Sequence, residues 1–162
     1  MDSNHLGSPA FSRHDHGLCT ADALAIARAT CVKQELRFTP IRTKVLEILL
    51  ESHTALGAYD ILETLRIAGL KSQPPVAYRA LEFLVEHGFA HKIERLNAFV
   101  GCTYSERGHS PVFMICRECN QIAETLSFPI IGTLGETARA IGFEIEKAVV
   151  EAEGVCPSCR ST

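Results

Sequence analysis

A membrane span, a secretory leader and an excess of positive charge are all missing from this 162-residue sequence. No apolar run approaches the ~18 residues that mark a membrane-spanning helix. The N-terminus, MDSNHLGSPAFSRHDHG, lacks a basic start followed by an apolar stretch, which excludes a signal peptide and makes the cytoplasm the expected location. Neither an HExxH helix nor a nucleophile elbow occurs, so two common routes to hydrolytic chemistry are missing as well. Lys and Arg number 16 against 19 Asp and Glu, a formal net charge of -3. Nucleic-acid binding, if the chain has it, must therefore rest on a local surface.

Cysteine, by contrast, is plentiful. Seven cysteines in a reducing compartment read as metal ligands before disulfides. Cys116-x-x-Cys119 and Cys156-x-x-Cys159 are separated by thirty-seven residues, and each spacing suits a tight turn that presents two thiolates to one ion. Joined, the two pairs make a closed four-sulfur zinc site with no open position for chemistry, which is a structural role. The competing readings are a redox pair or four unrelated buried thiols; the redox reading expects a thioredoxin-like βαβ pattern, and that pattern is missing.

The chain divides into a polar, flexible tail (1–19) carrying His5, His14 and His16, a first unit (20–95) and a second (96–162). Periodicity predicts helices over 21–36, over RFTPIRTKVLEILLES with Thr39 as N-cap and Pro40 at the first position, over about 57–68, and over PPVAYRALEFLVEHG ending at Gly88. FAHKIE and AFVGCTY then read as a hairpin. Helices closed by a hairpin make a winged helix-turn-helix, whose last helix enters the major groove by its N-terminal residues. Val76, Ala77, Tyr78 and Arg79 are the residues free to do so; Arg donates two bonds to guanine, Tyr packs on a thymine methyl, and Arg42 suits a phosphate. Equally, Tyr78 and Arg79 read as a solvated face, and eight basic against eight acidic residues between 22 and 90 leave that balance even. The second unit reads as strands over PVFMIC and QIAETLSF, a helix over PIIGTLGETARAIG and a strand over FEIEKAVVEAEGVC, giving an α+β class overall. It is too small to bury much core alone, so a metal staple or a partner subunit is expected.

His91, Cys102, His109 and Glu124 flank the junction between the units. Their spacings of 11, 7 and 15 match no short zinc-finger pattern. Each also has a plain reading: a strand end for His91, core packing for Cys102, a loop for His109 and a solvated strand position for Glu124. A metal held among them would fix the angle between the units and act as a switch rather than a staple.

With these residues in view, RFTPIRTKVLEIL, GAYDILETLR, PPVAYRALEFLVEHGFAHKIE and the two CxxC pairs resemble the ferric uptake regulator family over about residues 20–160. The resemblance implies a winged-helix N-terminal domain followed by a small α/β dimerisation domain, and a homodimeric, zinc-responsive repressor of zinc-uptake genes. It implies an AT-rich palindromic double-stranded DNA partner, with no small-molecule substrate. It also implies two zinc ions per subunit. His91, Cys102, His109 and Glu124 fall on the regulatory ligands of the zinc-sensing branch, Cys116, Cys119, Cys156 and Cys159 on its structural site, and Tyr59, Tyr78 and Arg79 on DNA-facing positions. Val76 stands where the family commonly has Thr, and the histidine-rich run of iron-sensing members is replaced by ERGHSPVF. One thiolate, two imidazoles and one carboxylate suit zinc. The alternatives are a regulator of the same family that senses iron, manganese or peroxide, and a zinc hydrolase built on His91, His109 and Glu124. Glu63 and Arg66, three apart, read either as a pair within one helix or as a contact to a neighbouring dimer.

Overall fold

The computed structural model describes residues 11, 16–70, 73–103, 110–126 and 129–160. Four helices come first: α1 (His16–Lys33), α2 (Pro40–Leu50), α3 (Ala58–Ile67) and α4 (Pro74–Glu86). Thr39 caps α2 as expected, its hydroxyl accepting from the Arg42 amide at 3.4 Å. Gly69 and Gly88 take left-handed φ values of 76° and 74° just past α3 and α4, where only glycine turns at no steric cost. The end of α1 is different. Its left-handed residue is Glu35, φ 56°, with the Leu36 amide bonded back to the Cys31 carbonyl at 2.9 Å. The periodicity therefore overshoots to 36, because no glycine marks the stop; the helix also begins earlier than 21, at His16.

The hairpin follows, β1 (Ala90–Ile93) and β2 (Ala98–Gly101), antiparallel and joined by a short 3-10 turn at Glu94–Leu96 with Asn97 at φ 46°. Leu56 adds a bridge to Phe99, with two hydrogen bonds of 2.8 Å, so the sheet edge reaches back to the start of α3. Buried side chains of α1 to α4, among them Ala27, Leu46, Leu49, Ile61, Leu65, Leu81 and Leu84, make one core beneath this hairpin. Ala77 belongs to that core and is fully buried, so of the four residues expected at the recognition surface it is the exception: a residue three before Ala80 shares its face.

The second unit is a three-stranded sheet in the order β4-β3-β5, with β3 (Pro111–Cys116) antiparallel to β4 (Ile122–Leu126) and parallel to β5 (Val150–Gly154). The helix α5 (Pro129–Ala140) and the short α6 (Pro157–Arg160) complete it. β5 is shorter than the strand expected over 143–156, and 143–149 has no strand partner among the described residues. A second core ties the units together: Ile93 and Val100 of the hairpin pack with Phe113, Ile115 and Ile122 of the sheet. The observed class is α+β, a winged helix followed by a small mixed α/β unit, as expected.

Candidate metal centres and nucleic-acid face

β3 and β5 run parallel with Cys116 paired to Gly154, so both CxxC pairs leave the same end of the sheet. That topology, rather than chain proximity, gathers Cys116, Cys119, Cys156 and Cys159 until all four sulfurs lie within 4.8 Å of one another. The Cys119 and Cys156 sulfurs are 3.8 Å apart. Four Zn–S bonds of ~2.3 Å in a tetrahedron put sulfurs about 3.8 Å apart, so the donor set fits zinc. The Cys156 amide donates to the Cys116 sulfur at 3.3 Å. Such backbone donors stabilise a thiolate and bring the Cys116 pKa down to about 6, with the Cys156 amide the first cause and the Cys119 amide the next. Cys159 is pushed up to about 12, chiefly through its hydrogen bond to Cys156 and then by burial. The cluster thus ionises Cys116 readily, while Cys119 and Cys159 are held protonated more strongly than usual; a cation among the sulfurs would relieve that resistance.

The second group is assembled from the hairpin and the second sheet. His91 comes from β1, Cys102 follows β2 directly, and Glu124 sits mid-β4. Their donor atoms converge within 4.8 Å. His91 Nε2 lies 3.0 Å from Glu124 Oε1, and the Cys102 sulfur lies 3.7 Å from the same oxygen. The Thr103 amide donates to the other carboxylate oxygen at 2.8 Å, fixing its orientation. Glu124 is only 3% exposed. A buried carboxylate is costly unless a cation or several donors face it, and a thiol, an imidazole and a carboxylate aimed at one point match a borderline-soft divalent ion such as zinc. His109, the fourth residue expected here, lies outside the described residues, as do His5 and His14 and the side chain of His16. Sequence reasoning had no signal for Thr103, whose backbone does the work, nor for Phe113, whose ring meets the His91 ring edge-on at 5.2 Å.

On the winged helix, Val76, Tyr78 and Arg79 are exposed at the start of α4, and Tyr59 is exposed on the first turn of α3. Tyr59 and Tyr78 border a single groove floored by Leu81 and Phe99. Arg42 is half-buried. Its guanidinium lies 3.6 Å from the centroid of the Phe83 ring and donates to the Arg37 carbonyl, so the side chain is anchored before any phosphate arrives. Glu63 and Arg66 pair with each other on exposed α3, at 2.6 and 3.0 Å.

The model of the ferric uptake regulator family matches residues 33–153. The zinc uptake regulation protein of Escherichia coli (strain K12) is 36% identical over 141 residues, 86% of this chain and 82% of that protein. A solved structure of a zinc uptake regulator complexed with zinc and DNA superposes with a TM-score of 0.83 at 35% identity, over 88% of this chain and 95% of that one. Two structures of XcZur separate the conformations. The holo form gives a TM-score of 0.79 at 35% identity over 88% of this chain and 99% of its own; the apo form gives 0.51 at 34% identity over 87% and 97%. At nearly equal sequence identity, the fold superposes more closely on the holo form than on the apo form. On the family match and the shared architecture, the chain belongs to the ferric uptake regulator family.

Proposed function

We propose that the chain is a zinc-responsive, DNA-binding transcriptional repressor of zinc-uptake genes, with zinc as its corepressor, and that it is a cytoplasmic regulator rather than an enzyme. The observation that carries this reading is the convergence of His91 and Cys102 from the hairpin with Glu124 from the second sheet. Donors on both sides of a junction are satisfied together only when the junction is closed. Ligand binding there therefore favours the closed arrangement by its differential affinity for it. In this reading His109 supplies the fourth donor and leaves no open position of the kind a hydrolase needs. Cys116, Cys119, Cys156 and Cys159 hold a separate structural ion, giving two zinc ions per subunit.

The boundary expected between residues 95 and 96 would split the hairpin, whose strands β1 and β2 pair across it; the winged helix through Gly101 then carries the DNA contacts and the unit after it the contacts of a homodimer. Two copies of α4, held at a fixed separation, match successive major grooves of an AT-rich palindrome. Val76, Tyr78 and Arg79 meet base edges, Tyr59 the flanking backbone, and Arg42 a phosphate through guanidinium donors not spent on Arg37. The similarity to a zinc uptake regulator solved with zinc and DNA supports the assignment. The deciding experiment is a DNA-binding titration of the dimer against buffered free zinc, with iron(II) and manganese(II) run beside it. Binding that rises with zinc at far lower free concentration than with either rival is the expected result. Binding governed by iron or manganese would replace zinc with that metal as the signal, and binding indifferent to all three would end the corepressor reading.

A further inference from the structure

Glu124, Phe113 and Glu151 form one row across the second sheet: Phe113 of β3 is paired with Glu124 of β4 on one side and with Glu151 of β5 on the other. Directly paired residues project to the same face. That face receives the hairpin at three points. Glu124 meets His91 and the Thr103 amide. Phe113, fully buried, meets the His91 ring. Glu151 accepts from the Glu94 amide at 2.7 Å through one oxygen and from the Arg95 amide at 3.0 Å through the other. Arg95 adds an ion pair to Glu153 at 2.8 Å. The spans agree: three residues of strand from His91 to Glu94 cover about 10 Å, and so do two strand spacings of ~4.8 Å. β1 thus crosses the sheet and is held at one end by a metal-ligand cluster and at the other by a carboxylate that needs no metal.

We propose that Glu151 is a positioning residue, a metal-independent latch that keeps the wing on the second sheet and so sets how much free zinc closes the hinge. The inference rests on the zinc-responsive function proposed above. When only a fraction of molecules is closed, the apparent dissociation constant for a ligand of the closed form rises in inverse proportion to that fraction. A bidentate carboxylate on two backbone amides raises the closed fraction before any metal binds, at no cost in donor atoms at the hinge. Its partners are main-chain groups of the turn at the wing tip, so it fixes the turn's orientation rather than a mobile side chain.

The test uses full-length dimer carrying Glu151→Ala, with Glu151→Gln as the variant that keeps size and one good acceptor. The free-zinc midpoint for DNA binding is expected to rise about tenfold in Glu151→Ala and by less in Glu151→Gln, on the scale of two lost hydrogen bonds. Zinc content and DNA affinity at saturating zinc stay as in the parent. Amide hydrogen exchange at Glu94 and Arg95 accelerates selectively in the zinc-loaded variants, which a general loss of stability would not produce. If Glu151→Ala fails to fold, Glu151→Gln alone decides. A folded variant with an unmoved midpoint overturns the latch. Should the parent itself show no zinc-dependent DNA binding, the repressor reading fails separately, and unchanged exchange at Glu94 and Arg95 would then sink the latch on its own.

Discussion

The two candidate metal clusters differ in how they are held. The four sulfurs sit within one unit, at the shared end of two parallel neighbouring strands, and each CxxC turn delivers a pair. His91, Cys102 and Glu124 come from both units and meet across a buried seam, with no two of them on the same strand. A metal in the first would close a small domain; in the second it would close a joint between the hairpin and the sheet. A site of the first kind stabilises the fold, whereas one of the second kind can bias an equilibrium between arrangements.

Removing a sulfur from the first cluster is the harshest way to break the comparison. Cys156→Ser removes a buried candidate ligand, whose amide also donates to the Cys116 sulfur. Among the described residues, the large buried side chains of the β4-β3-β5 sheet are Val112, Phe113, Ile115 and Ile122, so an ion bound at the four sulfurs would add its binding energy to folding. The expected outcome is loss of one zinc equivalent together with the folded second unit. Circular dichroism and metal analysis of the purified variant read both, and a folded dimer with normal melting would remove the structural role. Cys102→Ser is expected to behave oppositely. Hydroxyl for thiol is nearly isosteric, so melting without added zinc stays near the parent, while the zinc response of DNA binding disappears. A variant that still responded to zinc as the parent does would take the sensor away from this cluster.

Legibility in the sequence follows the same division. The four-sulfur set was readable because a CxxC spacing is local and chemically specific, and sheet topology only had to join two finished halves. The helices were readable for a similar reason: Thr39 with Pro40, Gly69 and Gly88 are local punctuation. Where punctuation is unusual the reading slipped, as at Glu35, which turns left-handed without being glycine. The hinge donors were not readable from spacing, since 11 and 22 residues separate Cys102 from its partners and the contact exists only once the sheet has met the hairpin. There the family resemblance named positions that no periodicity could. Glu151 was invisible to both, because its partners are backbone amides and amides leave no trace in side-chain pattern.

Gly101 offers the finest way to sharpen the contrast, because it joins the helical core to the hinge without being a ligand. It is the last residue of β2, directly before Cys102, and its backbone presses on the end of α2. A Cβ added there would lie 2.7 Å from Leu50 Cδ2, closer than packing allows, and 3.3 Å from the Leu49 carbonyl oxygen, a tight contact. The leucine methyl can swing aside in part; the carbonyl, on a helix, cannot. Gly101→Ala should therefore destabilise the first unit by about 1–3 kcal/mol, the usual range for overpacking. Urea denaturation of the metal-free protein reads that loss. Since relief requires β2 to lift, Cys102 moves with it, and the zinc midpoint for DNA binding rises while the four-sulfur site keeps its metal. Equal weakening of both sites would mean that the clusters report one global stability, and the distinction between staple and switch would fall with it.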